Sequence, residues 1–170
     1  IAAVDVAVDG PLAAKTRQEL IASWELPVGQ PFRQQDWNTA KQQILSRLLA
    51  ENHAAARLVD SQATIDPATR QARLMARYDS GPPFRFGELR VEGLERYPLA
   101  LVERHNRTVR PGEPFREADL NALQTALQAT PQFRSVQVSI DRDAPPDAEG
   151  VVTAPVTVRL SERPAHRLSF

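Results

Sequence analysis

Apolar residues recur along the chain with two different periods, and each period predicts a different element. Spacings of three and four residues are typical of a helix with one apolar face, and they connect Trp37, Ala40, Ile44 and Leu48. Strict alternation of apolar and polar residues is typical of a strand, and it is clearest over residues 134–141. The chain therefore mixes helices with strands that have one apolar side.

The predicted elements follow the same order twice. Strands are predicted at residues 3–8, 57–65, 71–78, 84–92, 134–141 and 152–160, and helices at 12–24, 37–51, 98–106 and 120–130. The order is β-α-α-β-β in each half, which predicts an α+β fold of two tandem modules. Each module is expected to be a three-stranded mixed sheet with two helices packed on one face.

A repeated phrase supports the two modules. Residues 29–38 (GQPFRQQDWN) return 83 residues later as residues 112–121 (GEPFREADLN), with six of the ten positions identical. Fewer than one identity is expected by chance, at roughly one match per fifteen to twenty positions. We expect modules at residues 1–81 and 82–166, a short stiff linker with two prolines at 80–83, and the start of a following segment at 167–170.

The repeated phrase predicts the start of a helix. Glycine allows a tight turn, and proline fixes φ in the approach. With Arg33 and Arg116 as N-caps, each copy has the spacing of a hydrophobic staple, which pairs Phe32 with Trp37 and Phe115 with Leu120. Arginine is a poor N-cap residue, so a register shifted by one residue remains open.

Composition excludes several classes of function. Basic and acidic residues are equal at 21 each, which leaves no basic surplus for nucleic acid. The absence of cysteine excludes disulfides and Cys-ligated zinc. No apolar run reaches the length of a membrane span. The chain opens at Ile1 in a strand-like segment, and we expect it to be a piece of a longer protein.

The sequence contains no recognisable catalytic or metal-binding motif. His53, His105 and His166 are far apart and lack a ligand at helical spacing, and neither a zinc-peptidase motif nor a nucleophile elbow occurs. The acidic loop at 141–149 has Pro145 at the third ligand position of an EF-hand. We therefore predict a solvated loop, no metal, no cofactor and no enzymatic activity.

One strand is a candidate binding site for another chain. An edge strand of a small sheet offers unpaired backbone groups to an incoming extended peptide. The strand at 134–140 carries small polar residues on its outer side and no protecting charge before Asp141. The predicted edge comprises Arg134, Ser135, Val136, Gln137, Val138, Ser139 and Ile140. The alternative is an ordinary strand paired on both sides.

The whole chain resembles polypeptide-transport-associated (POTRA) domains, the periplasmic modules of outer-membrane β-barrel insertases. The β-α-α-β-β repeat, the Gly-x-Pro-Phe helix start and the module junction at 83–87 (PFRFG) carry this resemblance. Residues 83–93 (PFRFGELRVEG) are similar to the last periplasmic module of the TamA branch. Family members often have an aromatic residue between the second helix and the second strand, where His53 stands in the first module.

The resemblance implies the periplasmic part of a Gram-negative outer-membrane protein. Such modules bind and scaffold in protein assembly or secretion, and they engage unfolded or nascent outer-membrane proteins, or an accessory protein such as TamB, by strand addition. An attached barrel in the outer membrane is also implied. In the family the second strand is the exposed edge, which in the first module adds Leu58, Val59, Asp60, Ser61, Gln62, Ala63, Thr64 and Ile65 as a secondary edge.

Three alternatives remain open. The modules belong either to the main barrel-assembly insertase or to a two-partner secretion transporter, or they form a rigid spacer that binds nothing.

Overall fold

The computed structural model describes residues 1–164 and divides the chain into two compact units, residues 1–83 and residues from 84 onward. The first unit contains β1 (Ala3–Asp9), α1 (Ala14–Ala22), α2 (Gln34–Ala50), β2 (Arg57–Asp66) and β3 (Gln71–Asp79). Its sheet has the order β1-β3-β2, with β1 parallel and β2 antiparallel to the central β3.

The second unit repeats this topology. It contains β4 (Phe84–Glu92), α3 (Leu99–His105), α4 (Glu117–Gln128), β5 (Phe133–Ile140) and β6 (Val152–Glu162). Its sheet has the order β4-β6-β5, with β4 parallel and β5 antiparallel to the central β6. The predicted fold class is therefore confirmed. The predicted module limits and the segment at 167–170 remain predictions, and that segment lies outside the described residues.

The repeated phrase starts the longer helix of each unit, as predicted. Arg33 and Arg116 have extended backbones, with φ of −132° and −138°, and directly precede the first helical residues of α2 and α4. The predicted N-cap register is thus correct, although arginine is a poor cap. Phe115 is almost completely buried, at 1% exposure, and Phe32 packs partly buried against the first core.

Each core lies between the long helix and the central strand. In the first unit the apolar face of α2 packs with alternate residues of β3, and the buried members are Trp37, Ala40, Ile44, Leu48, Leu74, Ala76 and Tyr78. Burial raises the pKa of Tyr78 to about 12, and its hydroxyl donates a 2.8 Å hydrogen bond to the Lys41 carbonyl. This bond satisfies the polar end of an otherwise apolar residue.

The second core is built in the same way. Leu120, Leu123 and Leu127 form the buried face of α4. Alternate residues of β6 are also buried, namely Val152, Ala154, Val156, Val158 and Leu160. The central strand is therefore enclosed on its helix side and paired on both edges.

Proline in the central strand is accommodated by a bulge in its neighbour. A break near Pro155 is expected because proline cannot donate a ladder hydrogen bond. The register of β4 against β6 shifts between Phe86 and Leu89, so two residues of β4 face Pro155. A β-carbon at Gly87 would lie 2.9 Å from the Pro155 nitrogen. Glycine at this position therefore lets the two backbones approach closely.

A carboxylate at the end of β6 fixes the loop after β4. The Glu162 carboxylate accepts hydrogen bonds from the backbone N–H groups of Glu95, Arg96 and Tyr97, at 2.9–3.1 Å. Desolvation raises the pKa of Glu162, but the bonds from Tyr97, Arg96 and Glu95 together outweigh it, and the pKa is lowered from its ordinary 4.5. The loop that leads into α3 is thereby attached to the central strand.

We expect Glu162→Gln to destabilise the second unit at neutral pH. The folded-state pKa lies below the unfolded value, so the carboxylate stabilises above about pH 4.5 and loses this effect as the pH falls through the folded pKa. The difference between wild type and variant should therefore shrink toward acid pH. Urea unfolding followed by the amide NMR signals of β6 measures it.

Glu103→Gln, at an exposed position on α3, is the matched control. A difference between wild type and Glu162→Gln that stays constant from pH 7 to pH 3 would contradict this role of Glu162.

Candidate functional site: two sheet edges

The predicted binding strand lies at an edge of the second sheet. β5 pairs with β6 on one side only within residues 1–164. Alternate residues of an antiparallel strand direct their backbone groups to opposite sides, so half of the N–H and C=O groups of β5 point away from β6. The alternative of pairing on both sides does not describe this strand. Whether a partner uses the edge remains a prediction.

The two faces of β5 have the predicted difference in polarity. Val136 and Val138 are each 7% exposed and face the core. Their neighbours Ser135, Gln137 and Ser139 are exposed. Arg134 is also exposed and lies at a register shift between Phe133 and Ser135, which makes it a bulge residue rather than a ladder residue. A regular edge is therefore available from Ser135 to Ile140.

Two glutamines of α4 cover part of this edge. The backbone N–H of Val138 donates a 2.9 Å hydrogen bond to Gln124 Oε1. The backbone C=O of Val136 accepts a 3.3 Å hydrogen bond from Gln128 Nε2. The sequence of the strand predicts an unprotected edge, and at these two groups that expectation is wrong. The protection comes from the helix, so the strand's own residues do not reveal it.

The secondary edge in the first unit is β2, which pairs only with β3 among the described residues. Its register shifts between Leu58 and Asp60, which makes Val59 a bulge residue. Val59 is 51% exposed and Ile65 is 57% exposed. Bulges interrupt the regular pairing of an edge strand. This edge is therefore irregular near Val59 and carries an exposed isoleucine near its far end.

The helix contributes a different side chain at the β2 edge. Lys41 of α2 places Nζ 3.5 Å from the Ser61 hydroxyl and 4.6 Å from the centre of the Trp37 ring. Lysine is a common device for protecting sheet edges. The contact involves the side chain of Ser61 and not its backbone.

The acidic loop between β5 and β6 bonds to its own backbone. The Asp141 carboxylate accepts the N–H of Asp143, and the Asp147 carboxylate accepts those of Glu149 and Val151. The bond from Val151 is the largest cause that lowers the pKa of Asp147. These are turn-stabilising bonds of the kind that aspartate commonly makes. Within residues 1–164 no group of three or more His, Cys, Asp or Glu could hold a metal ion.

The first unit also contains a cavity of about 550 Å³ between α1 and the end of α2. His53 lies in its lining and is 6% exposed. Its Nδ1 has no hydrogen-bond partner within the described part of the chain. Burial lowers the pKa of His53, opposed by a hydrogen bond with the backbone of Gly81. His53 is thus a neutral packing residue, while His166 lies outside the described residues.

No family model matches the sequence, and no curated protein matches it. Solved structures do match the fold. POTRA domains 3–5 of BamA from Haemophilus influenzae align with a TM-score of 0.69 at 19% identity, over 95% of this chain and 61% of that one. BamA from Haemophilus ducreyi lacking POTRA domains 1–3 aligns with a TM-score of 0.71 at 17% identity, over 94% of this chain and 29% of that one.

A third solved structure has nearly the same length. POTRA domains 1–2 of the periplasmic domain of Omp85 from Anabaena align with a TM-score of 0.56 at 14% identity, over 98% of this chain and 96% of that one. The chain thus spans about three fifths and less than a third of the two BamA structures. At these identities the likeness establishes the fold, and the two units have the POTRA fold. No helix within residues 1–164 is long and apolar enough to cross a membrane.

The burial of His53 predicts that the first unit loses stability in mild acid. The unfolded chain binds a proton near pH 6.5, while the folded chain resists it to lower pH, so stability falls as the pH drops below about 6.5. His53→Phe should remove this part of the pH dependence. Both tryptophans, Trp24 and Trp37, lie in the first unit, so their fluorescence during urea unfolding reports on it selectively.

His105→Gln in the second unit is the control and should leave the tryptophan-detected profile unchanged. An NMR titration in which His53 protonates at or above pH 6.5 would contradict the prediction.

Proposed function

We propose that the chain supplies two periplasmic binding and scaffolding modules of an outer-membrane protein assembly or secretion machine, with no catalytic role. The single observation that carries the proposal is the edge position of β5 on a POTRA-fold sheet. Its partner would be an extended segment of an unfolded or nascent outer-membrane protein that adds to the sheet. The three solved neighbours come from BamA and Omp85, and one of them is described as periplasmic.

The chemistry of β5 suits an extended partner with varied side chains. Backbone hydrogen bonds supply affinity in strand addition, and they do not depend on the partner's sequence. The outer side chains of Ser135, Gln137 and Ser139 are small or uncharged and exposed. They therefore impose neither charge selection nor a large obstacle on a strand that pairs beside them. The β2 edge, at 58–65, is the secondary docking site of this proposal.

A finer assignment follows from the module junction. Residues 83–93 are similar to the last periplasmic module of TamA, the outer-membrane subunit of the translocation and assembly module, and this supports a TamA-like protein with TamB as its accessory partner. The main barrel-assembly insertase and a two-partner secretion transporter are the competing assignments. The residues that adjoin this segment in the whole protein decide among them, because the three types differ in their barrels.

A second candidate function is that of a rigid spacer. The observation that favours it is the protection of both edges, by glutamine amides at Val136 and Val138 and by a bulge at Val59. A spacer would keep its edges closed to every strand. The two functions differ in one measurable property, which is the pairing of an extended peptide with β5.

Disulfide trapping tests this pairing. The chain has no cysteine, so Gln137→Cys introduces a single thiol on the exposed side of the edge strand. A peptide from an outer-membrane β-strand, with one cysteine placed in turn at successive positions, should crosslink to it with a period of two residues. The reason is that side chains alternate between the two faces of a strand.

Arg159→Cys is the matched control, since Arg159 is the register partner of Gln137 on the central strand. An added strand beyond β5 would lie about 10 Å from it, while a disulfide needs β-carbons within about 4.5 Å. Gln62→Cys tests the β2 edge in the same way. Equal crosslinking at positions 137 and 159, or none at 137 and 62, would overturn strand addition in favour of the spacer.

A further inference from the structure

The glutamine contacts on β5 occupy the two backbone groups at the middle of the edge. The Val136 C=O and the Val138 N–H flank Gln137 and are the groups that Gln128 and Gln124 bond. A backbone N–H can only donate and a C=O can only accept, so the orientation of both side-chain amides is fixed. Gln124 presents its oxygen and Gln128 its nitrogen.

Together the two amides provide what a neighbouring strand would provide. A strand that pairs at this position must bring a donor to the Val136 C=O and an acceptor to the Val138 N–H. Gln124 and Gln128 are four residues apart, so they project from the same side of α4. One supplies the acceptor and the other the donor. The helix thereby satisfies backbone groups that would otherwise be open at the edge.

The first unit lacks this pair. With the 83-residue offset of the repeated phrase, Gln124 and Gln128 correspond to Lys41 and Leu45. Lys41 contacts the Ser61 side chain, and leucine has no hydrogen-bonding group. The glutamine pair is therefore a property of the second unit and not of the repeated scaffold.

The geometry points to a regulatory role for this pair, which rests on the proposed strand addition at β5. Gln124 and Gln128 form an amide clasp that closes the middle of the β5 edge, and an incoming strand binds by displacing both amides. The clasp lowers the affinity for strands and restricts binding to segments that pair continuously across Gln137. Gln128 is exposed and Gln124 is half-buried, so both side chains can swing away from β5 without opening the core.

Two variants of identical composition test the clasp. Gln124→Glu with Gln128→Lys keeps an acceptor for the Val138 N–H and a donor for the Val136 C=O. Gln124→Lys with Gln128→Glu reverses both and leaves neither bond possible. The two variants have the same net charge, and each has one Glu and one Lys at positions 124 and 128. Any difference between them therefore reports on the direction of the hydrogen bonds.

The first readout is amide hydrogen exchange at Val138 in the free chain. The reversed variant should exchange about tenfold faster at Val138 than the matched variant, because a lost hydrogen bond changes the opening equilibrium by about this factor. The second readout is the affinity for an outer-membrane strand peptide, which should be about three- to tenfold tighter in the reversed variant. Asn121→Ala, at an exposed position on the same helix, should change neither.

The outcomes separate the clasp from strand addition itself. Equal exchange at Val138 in the two variants would overturn the clasp, whatever the peptide does. Faster exchange with unchanged peptide affinity would overturn its role in closing the edge. Failure of every variant and of wild type to bind peptide would overturn the proposed function and the clasp's role with it. If the reversed pair does not fold, Gln124→Ala with Gln128→Ala removes both bonds without adding charge, and the same readouts apply.

Discussion

The burial of the central strand constrains everything else in each unit. Val152, Val156 and Val158 of β6 are completely buried, because α4 covers one face and strands β4 and β5 pair on both sides. A three-stranded sheet that gives its middle strand two partners must leave its outer strands with one each. The edge at β5 is therefore a necessary consequence of how the core is closed. The same holds for β2 beside β3 in the first unit.

The two units protect their edges by different means. The β5 edge is regular, but two of its central backbone groups bond to glutamines of α4. The β2 edge carries a bulge at Val59 and a lysine near Ser61. Natural sheets use such devices to prevent unwanted pairing. A reversible side-chain cover differs from a bulge because it can be exchanged for a bound strand without changing the backbone.

Much of the fold could be predicted from local sequence. The alternation in β5 and the helical spacing in α2 gave the right elements, since both depend only on which residues face the core. The repeated phrase also placed the N-caps correctly at Arg33 and Arg116, because staple spacing is a local property. The bulge opposite Pro155 was predicted, but its position on β4 depends on strand pairing, which local patterns do not specify.

Other features depend on contacts between distant residues. Glu162 bonds the backbone of Glu95 to Tyr97 across more than sixty residues, and nothing near Glu162 in the sequence indicates this. Gln124 and Gln128 likewise read as ordinary polar positions on a helix. Their spacing of four residues, on the side of α4 that faces β5, is the only sequence signal that could have revealed them. It becomes informative once the strand order is known.

The central claim is that the β5 edge accepts an extended strand. An NMR titration of the isotope-labelled chain with a peptide from an outer-membrane β-strand tests it most directly. The account predicts shifts that cluster on residues 134–140, or on 58–65 for the secondary edge, and slower exchange of the outward-facing β5 amides when peptide is bound. Unchanged spectra at millimolar peptide would contradict it and favour a spacer without a binding role.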